Sequence, residues 1–408
     1  MTKVVKHNSM RSTNTLALFE CIRKHGPITK KEIQQHTGLS WGSISTIALE
    51  LISKKLIVEI KSNESMVGRT PCLLDISNTD NFIIGVDVNL SGLTAALIDL
   101  KCRVIKQVRE EMFSPNRTNI LTKIKLMISQ LIASVDDKKK IKGIGLAMPG
   151  DIDIQNGISV FVPHFEDFSQ VPVKQILEEE FGIEVMIEHD PNCMALTERY
   201  MGLAQNVNNF MFIRLSMGIG MSIIFDGKIY RGLNGSAGQF GHITMNPDGP
   251  RCSCGNYGCL ETYASCETIL RKSREGLKMG RAPVLETLLA QGDRLNLATI
   301  AKAARGADEF ILGIFDDAAT YLGIAIANVV NIFNPELIIL GGDLMNYQDV
   351  FLSKMKRFVD FKCWKNAKHP IEVSTFGSEA AAIGAALLFS DKIYQNAVES
   401  ESSLPIRQ

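Results

Sequence analysis

Apolar residues near the amino terminus recur at helical spacing, with Leu16, Phe19 and Ile22 in one stretch. They predict a helix over 14–25, which Gly26-Pro27 stops. Thr29 then caps a short helix, KKEIQQH, with Glu32 three residues on as the reciprocal partner. Thr37 to Ser40 is a turn, and Ser40 caps a third helix whose apolar face is Ile44, Ile47, Leu51 and Ile52. Alternation in LIVEI (56–60) and around CLLDI predicts two strands joined by a polar hairpin. Beyond Asn78-Thr79-Asp80-Asn81 the pattern changes to longer apolar strands: 82–88, 93–100, 141–150, 183–190, 208–216, 221–227 and 336–342. A closing helix is expected over 378–389. Strand–turn–strand units at 82–98 and 210–225 suggest two related α/β halves around a cleft. The organisation expected is a winged helix-turn-helix over 1–78, α/β lobes over 79–200 and 201–390, and a tail over 391–408. The last helix is expected to return to the first lobe.

Composition narrows the class. Of 408 residues, 45% are hydrophobic and 22% charged, and 44 basic side chains balance 44 acidic ones. That profile excludes a disordered or fibrous chain. No run approaches 18 uninterrupted apolar residues and the N-terminus has no apolar leader core, so the expectation is a cytoplasmic protein with no membrane span. The neutral total conceals a split: residues 1–78 hold eleven basic and six acidic side chains, a balance of +5, leaving −5 for the remainder. A basic module on an acidic body points to separate partners.

In a helix-turn-helix the second helix enters the major groove. Here its leading residues are Ser40, Trp41 and Ser43, with Ser45 and Thr46 a turn later. Hydroxyls exchange hydrogen bonds with base edges, but the bidentate types Arg, Asn and Gln are missing, so direct readout is thin. Arg11, Lys30 and Lys31 are candidates for phosphate contacts, and Arg69 in the wing for a narrow minor groove. Weak readout by one helix implies that two copies act together on operator DNA. Trp41 suits either the DNA backbone or the module core.

Nine cysteines, an odd and scattered set, argue against a disulfide framework. Three of them, Cys252, Cys254 and Cys259, crowd into RCSCGNYGC, with His242 ten residues upstream of the first. Three thiolates and an imidazole form a closed tetrahedral Zn2+ set with no position left for water, which makes the metal structural.

The winged helix together with GQFGHITMNPDGPRCSCGNYGCLETYAS (238–265) resembles the ROK family of repressors and sugar kinases. EHDPNCMALTE (188–198) and NPELIILGGD (334–343) support the resemblance, which covers nearly the whole chain. It implies two actin-like α/β lobes with a sugar between them, and zinc on His242, Cys252, Cys254 and Cys259. Its sugar-binding aspartate, the catalytic base in the kinases, matches Asp190, followed in the family pattern by Glu261. His189 stands where the kinases usually have Asn, and Gln239 where they have Glu. His164 and Phe168 fall in the stretch where kinases place residues near the sugar. A second reading of Asp190 is an N-cap for the helix opening at Pro191.

The family's kinases carry D-x-G-G-T and G-T-G-x-G turns around phosphate. This chain has Asp87-Val88-Asn89-Leu90-Ser91 and Ser216-Met217-Gly218-Ile219-Gly220. Side chains in place of glycine crowd the phosphate path. The reading is therefore a transcriptional regulator, a repressor of carbohydrate genes controlled by a bound sugar or sugar derivative. An ATP-dependent sugar kinase with Asp190 as base is the alternative. The mechanism expected is lobe closure on the sugar, relayed by the zinc loop to a homodimer or homotetramer.

Overall fold

A computed structural model describes residues 7–61, 72–90, 92–112, 115–163, 165–368 and 370–399. Arg69 and His164 lie outside the described residues. The N-terminal module contains α1 (His7–His25), β1 (Ile28–Thr29), α2 (Lys30–Thr37), α3 (Trp41–Ser53), β2 (Ile57–Lys61) and β3 (Cys72–Ile76). α1 begins at His7 rather than near residue 14. The capping box forms: the Glu32 backbone N–H donates to Thr29, and Glu32 accepts from the Thr29 backbone N–H at 2.9 Å. Ser40 caps α3 by accepting from the Ser43 N–H. The strands form an antiparallel sheet in the order β1-β3-β2. β1 is two residues long and its partner lies more than forty positions away, so no local pattern announces it.

The body holds two five-stranded sheets of matching construction. The first uses β4 (Phe82–Asn89), β5 (Gly92–Asp99), β6 (Val104–Glu111), β7 (Ile141–Met148) and, after the small hairpin sheet of β8 (Asp151–Asp153), β9 (Ile158–Phe161) and β10 (Ser169–Val171), β11 (Val185–His189). Its order is β11-β7-β4-β5-β6, with β4, β7 and β11 parallel. Helices α4 (Arg117–Ile132) and α5 (Val173–Phe181) cover one face. α6 (Asp190–Met201) leads across to the second sheet, formed by β12 (Phe210–Leu215), β13 (Ile219–Phe225), β14 (Lys228–Ile229), β15 (Leu337–Gly341) and β16 (Ile371–Val373). Its order, β14-β13-β12-β15-β16, repeats the first: an antiparallel hairpin beside parallel strands.

The second lobe is completed by α7 (Glu261–Ala264), α8 (Cys266–Lys278), α9 (Pro283–Ala290), α10 (Leu297–Arg305), α11 (Glu309–Phe333) and α12 (Leu352–Lys362). α11 is long and apolar enough to cross a membrane by composition alone. Its buried residues, among them Phe315, Leu322 and Ile326, account for that apolarity as the core of this lobe. α13 (Ala380–Glu399) runs ten residues past the helix expected from sequence. It lies along β4, β7 and α6, so close that a Cβ on Gly85 or Gly145 would collide with its backbone.

One continuous apolar cluster joins the module to the body, from Leu18, Ile22 and Leu51 through Ile83 and Ala96 to Phe389. Polar ties reinforce it. Lys101 pairs with Asp75 at 2.5 Å, and the Asn81 amide donates to the Lys55 carbonyl at 2.7 Å. The guanidinium of Arg23 stacks 4.7 Å from the Tyr200 ring centroid. The N-terminal module is thus packed onto the body.

Candidate functional site

A cavity of about 480 Å³ opens between the lobes, lined by His189, Asp190, Gln239 and Glu261 among others. β11 delivers His189 and Asp190 at its carboxyl end. His189 is the N-cap residue of α6, and Asp190 is the first residue of the helix proper. The N-cap reading of Asp190 is therefore corrected: its carboxylate turns across the cleft to an ion pair with Arg214, while the helix N-terminus still favours the negative charge. Glu261 is fixed by the next turn: its carboxylate accepts from the Ile219 backbone N–H at 3.0 Å. A Cβ on Gly218 would stand 2.8 Å from that carboxylate, and one on Gly220 would stand 2.7 Å from the Pro191 ring. Both glycines of the second turn thus have a packing reason that involves no phosphate.

Gln239 follows Gly238, whose φ of 89° is the left-handed region a glycine enters without strain. Phe168 does not join the cleft; it is buried in the first-lobe core, edge-on to Phe165. Phe161, Val162 and Pro163 line the cavity instead.

Sequence reasoning missed two arginines. Arg231 donates to the buried Glu188 at 2.7 Å, and Glu188 also accepts from Asn192 at 2.9 Å. Arg214 is the more central, and its signal was a charge inside the apolar strand FMFIRL. A second polar cavity of about 480 Å³ lies behind it, with Asp87, Asn89, Thr94, Ser216, Gly342 and Asp343 in its wall. Asp87 is buried, and its Oδ1 has no hydrogen-bond partner. Burial pushes its carboxyl up to about 7, against the pull of Arg214 and with the help of Asp190 and Asp343. Ser216, where the kinase pattern has glycine, spends its hydroxyl on Asp343.

His242, Cys252, Cys254 and Cys259 converge with all four ligand atoms within 4.8 Å of one another. Cys252 Sγ is 3.6 Å from His242 Nδ1, and Cys254 Sγ is 3.7 Å from Cys259 Sγ. Burial, then the two neighbouring thiols, push the Cys259 thiol up to about 12, so three thiolates together require a cation. The donor set fits zinc. His242 and Cys254 also line the first cavity, and Glu261 follows Cys259 by two residues. The metal loop is therefore part of the cleft wall.

On the module, Trp41 is 54% exposed, which removes it from the core. Ser40 and Thr46 are exposed and Ser43 and Ser45 half-buried. Ser40 Oγ is 2.8 Å from Ser43 Oγ, so these hydroxyls are already engaged. Lys30 is half-buried and Lys31 exposed at the start of α2. Arg11 pairs with Glu50 of α3 at 3.1 Å.

Comparison with known proteins agrees with this architecture. The chain is 29% identical to the xylose repressor of Bacillus subtilis over 388 residues, covering 94% of this chain and 96% of the relative. It is 31% identical to the DNA-binding transcriptional dual regulator NagC of Escherichia coli over 363 residues, covering 87% and 86%. Among solved structures, a ROK family transcriptional regulator, a homologue of the E. coli Mlc protein, superposes with a TM-score of 0.78 at 26% identity, covering 95% of this chain and 98% of that one. A ROK glucokinase from Streptomyces griseus, in complex with glucose and AMPPNP, gives 0.67 at 27% identity and covers 76% of this chain and 99% of that one, so its match leaves about a quarter of this chain unaccounted for. The ROK family profile matches residues 83–392, and the chain belongs to the ROK family.

Proposed function

We propose that this protein is a sugar-responsive, DNA-binding transcriptional repressor of carbohydrate genes that does not transfer phosphate. One observation carries the reading: the winged module shares a continuous apolar core with a body whose cleft gathers His189, Asp190, Gln239 and Glu261. Asp190 and Glu261 accept hydrogen bonds from sugar hydroxyls, and Gln239 both donates and accepts. His164 is a further candidate for sugar contact. Ser40, Trp41, Ser43, Ser45 and Thr46 face the operator, with Lys30, Lys31 and Arg11 toward phosphate, and Arg69 is the candidate for a narrow minor groove. Repressors named for xylose and for N-acetylglucosamine among its relatives make those two sugars the first to test.

Zinc on His242, Cys252, Cys254 and Cys259 closes a loop that has no apolar core and so fixes Glu261. The protein works as a cytoplasmic homodimer or homotetramer, because a single thin recognition surface binds too weakly. Against phosphoryl transfer stand Asn89 and Leu90 in the first turn, the Ser216–Asp343 bond in the second, and the engagement of Asp190 by Arg214.

The test is fluorescence anisotropy of the full chain on its own upstream DNA, titrated with xylose, glucose, N-acetylglucosamine and their phosphates. Salt-sensitive, specific binding shifted by one sugar supports the reading. Sugar-dependent ATP turnover lost in D190N replaces it with a kinase.

A further inference from the structure

Arg214 is the penultimate residue of β12, between the buried Ile213 and Leu215, where a charge is costly unless it is matched. Its cross-strand partners are both glycines, Gly220 on β13 and Gly341 on β15. Side chains paired across a sheet point to the same face, so two missing side chains leave a lane along which the guanidinium reaches the cleft. There it meets charged groups from several elements. Asp190 at the start of α6 pairs with it directly, and Asp87 on β4 and Asp343 after β15 add their fields, with the Cys266 thiol of α8 beyond. Arg214 also lines both cavities, the one holding Asp190 and Glu261 and the polar one behind.

We propose that Arg214 is the positioning residue of the effector site, an internal cation that holds the Asp190 carboxylate as an acceptor toward the sugar and fastens the second lobe to the first. The inference rests on the reading of the first cavity as a sugar site. A planar fork with five N–H donors can serve several carboxylates at once, which a lysine ammonium does less well. Asp190 and Asp87 belong to strand ends of the first sheet, and Arg214 and Asp343 to the second. A sugar hydroxyl donating to Asp190 therefore acts on the same ion pair that spans the lobes. Because Asp190 is held in this way, it is not free to take a proton from a hydroxyl, which fits a site that binds without reacting.

The experiment compares the full-length protein with R214Q, R214K and the double variant R214Q/D190N. Two readouts are taken: melting temperature of the unliganded protein from pH 5 to 8.5, and operator release by xylose, glucose and N-acetylglucosamine. Without the guanidinium, three carboxyls face one another, so R214Q should melt below the wild type, with the smallest deficit near pH 5 and a progressively larger one above pH 7. It should need at least tenfold more of whichever sugar releases the wild type. R214K should recover part of both losses. R214Q/D190N should melt above R214Q at pH 8, which also keeps the test decisive if R214Q alone folds poorly. Wild-type melting profiles and wild-type sugar response in R214Q would overturn the proposal, as would a double variant no more stable than the single. If no sugar releases the wild type, the effector reading fails by itself, and the melting profiles still decide whether Arg214 holds Asp190.

Discussion

The turn after β4 and the turn between β12 and β13 occupy equivalent places in two sheets of the same construction, yet they have been treated differently. In the first, Asn89 and Leu90 fill the loop, and Asp87 is left buried with one oxygen unpartnered. In the second, Gly218 and Gly220 persist, because Glu261 and Pro191 press against them. The difference teaches that glycine in such a turn is not by itself a sign of phosphate. The second turn is built around the cleft; the first leaves Oδ1 of its aspartate without a hydrogen-bond partner.

The largest effect should come from removing the support of the second turn. C259S, or stripping the metal with a chelator, should unfasten the loop that carries Glu261 and abolish sugar response at a cost of several kcal/mol. Metal content and thermal melting check it; a fully responsive metal-free protein would make the loop irrelevant to the turn.

Asp87 probes the first turn. Its folded pKa is raised, to about 7 from an ordinary 3.8, so the native state holds the proton more tightly than the unfolded chain. Stability from this group is present at low pH and is lost as pH climbs through that interval. Between pH 5 and 8 the loss should be about 2–3 kcal/mol. D87N should flatten that part of the profile in thermal melts recorded across pH.

A smaller change tests the glycine argument directly. G218A places a methyl against the Glu261 carboxylate and should weaken sugar binding about tenfold, on the order of 1.4 kcal/mol, with DNA affinity in the absence of sugar unchanged. Calorimetry and anisotropy measure the two arms. The smallest effect is an expected absence of gain: N89G/L90G reopens the first turn but should yield no sugar-dependent ATP turnover, since Asp190 stays paired with Arg214. Turnover in that variant would mean the two turns differ only in their side chains.

Much of this was legible in the sequence where the signal is local. Thr29 and Glu32, three positions apart, announce their own capping box, and Cys252, Cys254 and Cys259 announce a metal loop by proximity alone. The motif residues Asp190, Gln239 and Glu261 do line one cavity. What escaped was set by distant partners. The strand at Ile28–Thr29 exists because Leu73 and Leu74 come to meet it. His189, and not Asp190, occupies the N-cap position of α6, while Arg214, twenty-four residues on, pairs with the aspartate. Phe168 looked like a cleft residue by its position and is a core residue by its packing. The starting point of α1 at His7 lies in a polar stretch that offers no apolar period to read.

Helix α6 begins with the cleft aspartate and, ten residues later, presents Tyr200 beneath Arg23 of the DNA module. Those ten residues span about 15 Å of a single stiff element. The two halves of the protein are therefore not freely interchangeable parts. A winged module transplanted from another regulator would inherit the response of this body only if its first helix carried an equivalent of Arg23 and the apolar face of Leu18 and Ile22. The specificity of the pairing between reader and sensor is written on that helix, as it would be between two separate proteins, and chimeras built without it should bind their operator and ignore the sugar.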